Sequence, residues 1–265
     1  MKLQLALGLG LGAHRKVGVK LDPATVAWRD SLAVDVGDAR IAHYDAFFRK
    51  LKDNGMWDIA DKIGLFCVGG LADARKNIKN PTATDETETG VFIQINAPSF
   101  TAYRGIERTE ATNRIRTAAP SGNANYKLQN AGIIIGCETT VGSAYPEIAM
   151  AFSNNVLTLG QISPGTVRAK INCETFTSNL NISSVFAGTR DGSNVSCYAG
   201  DESLTESIDA TAMPGELELL GYRAGSYPNN SRISFVWIGG SFTQSQFLAA
   251  RTALLTLGGA LGWTI

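Results

Sequence analysis

His14 and His43 are the only imidazoles in a chain of 265 residues. Neither lies in a motif that supplies a serine or cysteine partner, so a histidine-based nucleophilic triad has no starting point. Carboxylates come next, because glycosidic bonds are cleaved between two carboxyl groups about 5–10 Å apart. Glu216 and Glu218 stand two apart in the strand-like run GELELLGY and therefore share a face. No third acidic residue follows them in that run, and a solvated strand face explains the pair better than acid–base chemistry. Glu86 and Glu88 fall in the aperiodic polar stretch NPTATDETETG and make a weaker pair.

Cys67, Cys137, Cys173 and Cys197 are widely spaced, with no CxxC among them. Zinc sites and thioredoxin-like redox sites draw on close pairs, so neither fits. The spacing favours buried thiols, which pack as small hydrophobes; one or two disulfides among Cys137, Cys173 and Cys197 are the alternative. Gly8-x-Gly10-x-Gly12 has no strand–helix–strand unit around it and is not a nucleotide loop. Asp191-Gly192-Ser193-Asn194 offers oxygens of the kind calcium takes, but a hairpin turn accounts for the same residues. No cofactor or metal is expected. Tyrosines are the remaining lead: Tyr103, Tyr126, Tyr145, Tyr198, Tyr222 and Tyr227 fall at strand ends or in loops. A tyrosine beside Asn, Ser and Arg can stack on a sugar ring while its neighbours bind hydroxyls. Tyr198, Tyr222, Tyr227 and Asn229 are singled out for glycan contact, with plain loop packing as the competing reading.

The elements that must position these groups are mostly strands. With 24 basic and 24 acidic side chains, the charge balance gives no reason to expect a nucleic acid or an anionic membrane as partner. Only 18% of residues are charged, and 28 are glycine, a mix that suits turn-rich β-structure. From residue 65 onward, short apolar runs such as VFIQI, AGIIIG, NVSCYA and RISFVWIG alternate with turn pairs such as Pro164-Gly165 and Asp191-Gly192. Around ten such runs without intervening helices predict an antiparallel sandwich.

Three segments depart from that texture. In MKLQLALGLGLGA, Leu7, Leu9 and Leu11 alternate with glycines, giving an extended segment with leucines on one face. Residues 1–20 are expected to dock by strand addition on a neighbour. A secretory signal is the alternative, although no clean cleavage site follows. Residues 21–64 read as a helical adaptor. Asp38 can cap a helix carrying Ile41, Tyr44, Phe47, Phe48 and Leu51 at helical spacing, and Asn54-Gly55 stops it. Met56, Ile59, Ala60 and Ile63 then continue as a second short amphipathic stretch, and His43 reads as a half-buried helix residue. At the far end, Thr243 and Gln246 form a capping box, Phe242 and Phe247 a hydrophobic staple, and Gly258-Gly259 a stop. The strand ahead of this helix has apolar residues on both faces, so the helix is expected to cover what the sandwich leaves open.

The closing run YPNNSRISFVWIGGSFTQSQFLAARTALLTLGGALGW resembles the C-terminal signature of concanavalin- or laminin-G-like jelly rolls found in virion proteins of tailed bacteriophages and prophages. Asn230, Arg232, Ile238, Gly239, Thr243, Leu257 and Gly258 carry the likeness, and YDAFFRKLKDNGMWDIADKIGLFCVGG is similar to the helical module that precedes such domains. The resemblance implies a jelly-roll sandwich over residues 65–265 and a surface-displayed structural protein of the virion, in the tail, baseplate or fibre or as a head accessory. It would act by docking and adhesion rather than catalysis, be assembled in the bacterial cytoplasm, and have other virion proteins and further copies of itself as partners. A carbohydrate-binding module that recognises a host-surface glycan is the alternative, and a polysaccharide-cleaving enzyme the third. The strand region carries no ligand motif of the family, so no sugar-binding residue transfers from it.

Overall fold

The computed structural model describes residues 20–263 apart from 88–89, 97, 108–113, 119, 140–146, 152–156, 164–165, 182 and 220–231. Leu7, Leu9, Leu11, Tyr222, Tyr227 and Asn229 lie outside the described residues. Helices α1 (Pro23–Ser31) and α2 (Asp38–Asp53) lead directly into strand β1 (Ala60–Leu65). A single turn, α3 (Leu71–Ala74), precedes the short strands β2 (Ile93–Ile95), β3 (Ser99–Thr101), β4 (Gly105–Glu107) and β5 (Arg114–Thr117). Longer strands follow: β6 (Asn130–Thr139), β7 (Glu147–Ala151), β8 (Leu157–Ser163) and β9 (Thr166–Ile171). Next come β10 (Leu180–Asn181), β11 (Val185–Asp191), β12 (Asn194–Ala199) and β13 (Glu202–Ser207), and the chain closes with β14 (Leu217–Leu219), β15 (Arg232–Gly239) and α4 (Gln244–Leu261).

Among the described residues the strands form two antiparallel sheets. The first runs β13-β12-β11-β6-β15-β4-β3, with β1 also on β15, and the second runs β10-β9-β8-β7-β14-β5-β2. The chain is thus mainly β, as its alternation of short apolar runs and turns predicts, and few helices interrupt it. The two sheets stack through their apolar faces. Gly188 on β11 marks how close they come, since a Cβ there would stand 2.9 Å from the Ala169 methyl and from Ile171 on β9. A side chain at that point would force the sheets apart.

The other face of the first sheet is covered by helices. Phe47 of α2 meets Phe235 of β15 edge to face, with ring centroids 5.6 Å apart. Trp237 of the same strand donates its indole N–H to the Met56 carbonyl at 3.0 Å. Gly136 on β6 leaves the space that Leu254 of α4 fills. Strand β15 is therefore buried on both sides, as its apolar residues at odd and even positions require. Trp28 of α1 packs on Tyr44 and Phe48 of α2, with ring centroids 4.8 and 5.4 Å apart. Helices and sheets share one continuous set of buried side chains. Among the described residues no helix is long and apolar enough to cross a membrane.

Four local expectations are corrected. Residues 60–63 are not helical: β1 pairs with β15 from Ala60↔Gly239 to Leu65↔Phe235 and is buried throughout. A strand covered on both faces shows no alternation, and its apolar spacing mimics a helix. The boundary drawn after residue 64 consequently falls inside a strand. Helix α2 is capped by Gly37 at φ 75, and Asp38 instead adds a negative charge to its first turn. Helix α4 runs past Gly258-Gly259 and ends at Gly262, which takes the left-handed conformation at φ 83. Gly258 is helical, and the Trp263 ring folds back into the space its Cβ would have filled. His43 is exposed on α2 rather than half-buried.

Candidate functional site

The sequence of β9, TVRAKI, alternates. Val167, Ala169 and Ile171 are buried against the first sheet, so Arg168 and Lys170 point from the opposite, outward face of the second. Cross-strand register extends that face. Lys170 pairs with Thr158, Thr158 with Met150, Met150 with Glu218, and Glu218 with Arg116. A second row places Arg168 beside Gly160 and Gly160 beside Glu147. The outward face thus carries a polar line on a sheet whose inward face is apolar.

Its floor is closed off from solvent. Glu218 and Thr158 are 1% exposed and Lys170 is 4% exposed. The expected solvated strand face is therefore corrected for Glu218, while the Glu216 side chain, 42% exposed, does meet solvent. Strand β14 lies between β7 and β5, where Glu218 pairs in register with Met150 and Arg116. Glu216 lies just outside that strand and accepts a hydrogen bond from the Arg116 guanidinium at 2.6 Å. These two glutamates differ in environment and do not form a shared open pair.

Phe176, in the connection from β9 to β10, collects the cations of this face. The Arg168 guanidinium carbon is 4.6 Å from its ring centroid and the Lys170 ammonium 4.4 Å. Each contact contributes about 0.5–2 kcal/mol through the ring quadrupole. Arg168 Nε and Thr158 Oγ1 are buried without a hydrogen-bond partner among the described residues. Leaving such a group unmatched costs about 1–3 kcal/mol. A sheet face with this composition can bind hydroxyl and carboxylate oxygens through fixed donors.

Two further concavities are less suited to a ligand. A polar cleft of about 390 Å³ is lined by Asp58, Asp61, Asn77, Lys79, Asn80 and Asn125. Its groups largely bind one another: the Asp61 carboxylate accepts the amides of Asn125 and Tyr126 at 2.9 and 2.7 Å, and Lys79 donates to the Trp57 carbonyl at 2.7 Å. These bonds tie the turn before β6 to β1. The groove between α2 and α4 is small, about 80 Å³, and has Phe47 and Leu257 beside His43 and Lys50.

Tyr198, singled out for glycan contact, is instead part of the core. It is 6% exposed, and its ring stacks on Phe247 of α4 with centroids 5.3 Å apart. The helix that seals the first sheet covers it, and burial raises its phenol above the ordinary value. Tyr126 is also buried, its hydroxyl donating to Asn172 Oδ1 at 2.8 Å. All four cysteines are free and buried. Burial pushes the thiols of Cys137 and Cys197 up to about 12. Asp191 to Asn194 form the β11–β12 hairpin, with Gly192 at φ 59. Among the described residues no three His, Cys, Asp or Glu side chains gather to hold a metal. Sequence reasoning missed Arg168, Lys170 and Phe176, although the alternation of β9 puts both cations on one face and an aromatic follows six residues after Lys170.

No protein-family model matches the chain, and no curated protein does. Solved structures do. The receptor binding domain of botulinum neurotoxin D is 9% identical, with a TM-score of 0.52 over 76% of this chain and 54% of that one. A second structure of the serotype D binding domain gives 9% identity and a TM-score of 0.51 over 75% and 52%. A Trypanosoma rangeli sialidase mutant displaying trans-sialidase activity is 9% identical, with a TM-score of 0.49 over 82% and 39%. The chain spans between 39% and 54% of the length of these solved chains. At such identities the likeness is one of fold, and with the botulinum domain this chain has in common an antiparallel β architecture.

Proposed function

We propose that this chain is a non-catalytic carbohydrate-recognition module built on a jelly roll of the concanavalin/laminin-G type. The observation that carries this reading is the outward face of the second sheet. There Arg116, Arg168 and Phe176 are partly exposed above a buried polar floor of Thr158, Lys170 and Glu218, and two cations hold the Phe176 ring in place. Sugar recognition needs directional donors and acceptors beside an aromatic face, fixed before the ligand arrives. The fold likeness to a domain named for receptor binding supports the same class of function.

The resemblance of the closing run supplies the setting. We place the module on the particle of a tailed phage, anchored to other virion proteins through residues 1–20, with the sandwich displayed outward. Glycan-array binding of the purified full chain tests the recognition, and the variants Phe176→Ala and Arg116→Ala should each weaken any saccharide bound. An array without a bound saccharide, or binding that survives both variants, overturns it. Deleting residues 1–20 should abolish incorporation into particles, and normal incorporation of the truncated chain refutes the anchoring role.

A further inference from the structure

We infer that β13 accepts the N-terminal segment of a second copy of this chain as an added strand. The inference rests on the docking role given to residues 1–20, names its acceptor, and does not involve the saccharide face. Among the described residues the sheets end on four edges, β13 and β3 in the first and β10 and β2 in the second. The last three are only two or three residues long, which is one way a protein blunts an edge. Strand β13 runs for six, Glu202–Ser207. It follows a two-residue hairpin loop, Gly200-Asp201 with Gly200 at φ 60, so Ala199 and Glu202 exchange both backbone hydrogen bonds. Antiparallel alternation makes Cys197–Leu204 and Val195–Glu206 the next bonded pairs, and the Ile208 amide continues the series by donating to the Ser193 carbonyl at 2.8 Å. The N–H and C=O groups of the exposed residues Ser203, Thr205 and Ser207 therefore point away from β12, on a side where no described strand pairs.

Charged side chains do not close this edge. Glu202 and Glu206 turn back to the second sheet, accepting the Asn181 and Ser178 amides at 3.2 and 3.0 Å, and Leu204 stands partly exposed between them. Leu180 of β10, also partly exposed, falls between the residues they bind. Residues 1–19 lie outside the described residues, and their sequence suits this edge. Leu7, Leu9 and Leu11 offer one apolar face to Leu204 and Leu180, while Gly8, Gly10 and Gly12 bring no side chain to the other. Residues 1–20 contain Lys2, Arg15, Lys16 and Lys20 and no acidic residue. Residues 201–209 contain Glu202, Glu206, Asp209 and Asp201, the last paired with Arg251, and no basic residue. Opposite charge thus steers the segment to this edge. The chain's own segment is poorly placed for it. The Lys20 carbonyl is held by Arg49 of α2 at 2.7 Å, and α2 packs on β15, four strands from β13. That is about 19 Å across the sheet. Helix α4 covers β6 and β12 in between. A path over its thickness of about 10 Å exceeds the roughly 25 Å that residues 13–19 span when straight.

Sedimentation equilibrium and amide hydrogen exchange of the full chain test this together. The full chain should sediment at a multiple of its monomer mass. Exchange at Ser203, Thr205 and Ser207 should be about tenfold slower or more than in a chain lacking residues 1–12. That deletion and Thr205→Pro should each give monomers with the parental unfolding midpoint, because the proline removes an N–H that β12 does not use. The exchange comparison needs no substitution in the edge, so it decides even where Thr205→Pro fails to fold. A monomeric full chain with those amides protected puts the chain's own segment on β13 and overturns the second-copy assignment. An oligomer that leaves them unprotected, or that survives Thr205→Pro, overturns β13 as the acceptor. A monomer without protection overturns the inference outright. If particles then still require residues 1–20, the docking role stands with another protein as acceptor; if they do not, that role falls too.

Discussion

Replacing Phe47 by alanine should destabilise the whole molecule in one transition. Phe47 belongs to α2, within the segment that reads in sequence as a separate adaptor, yet its ring is 1% exposed and stands edge to face on Phe235 of the central strand β15. Truncating a buried phenylalanine to alanine costs about 3–5 kcal/mol. The shallow groove that Phe47 borders admits water on one side, so the vacated space is not a sealed cavity and the lower end, about 3 kcal/mol, is expected. Against a total stability of about 5–15 kcal/mol this is a large fraction. For a chain of this size it corresponds to a fall in Tm of about 6–12 °C. Urea unfolding followed by far-ultraviolet circular dichroism and by tryptophan fluorescence should show both curves shifting together, with the slope unchanged. Loss of helical signal ahead of an unshifted β transition would refute the shared core and restore an independent adaptor.

Three further outcomes are expected. Thr243→Ala removes the hydroxyl that accepts the Gln246 amide at the start of α4 and should cost about 1 kcal/mol in urea unfolding. Iodoacetamide should leave Cys137 and Cys197 unmodified in the native protein at about pH 8, because burial holds their thiols up to about 12, and should label them once denaturant opens the core. Burial alone would raise the Asp45 carboxyl, but hydrogen bonds from Arg49 and the Asp22 amide outweigh it and hold the group below its ordinary value of 3.8. A carboxyl depressed in the folded state stabilises above its unfolded pKa, and that stability is lost as pH falls through the folded value. The difference in stability between the parent and Asp45→Asn should therefore be full at neutral pH and shrink as pH falls through 3.8 and below.

What was legible in the sequence was what local chemistry decides. The Thr243–Gln246 box marks the start of α4 because its hydrogen bonds are local, and both are present. Asp191-Gly192 marks a hairpin because a residue must turn through positive φ there. Strand β15 announces burial on both faces through apolar residues at odd and even positions. What was not legible depends on partners distant in the chain. Strand β1 looks helical until β15, more than 160 residues later, pairs with it. Gly258 reads as a stop until Trp263 is seen folded onto it. Tyr198 looks like a surface aromatic because α4, which covers it, begins more than 40 residues downstream. Glu218 was noticed for its type, but its place between β7 and β5 depends on the order of strands in the second sheet, which no spacing rule reveals.

The most direct test of the recognition face is an amide chemical-shift titration of the full chain with a saccharide that it binds on the glycan array. Perturbations confined to β5, β8, β9 and the connection holding Phe176 would locate the ligand on the outward side of the second sheet, as proposed. Shifts gathered instead around Asp61 and Asn125, or along the groove between α2 and α4, would contradict it.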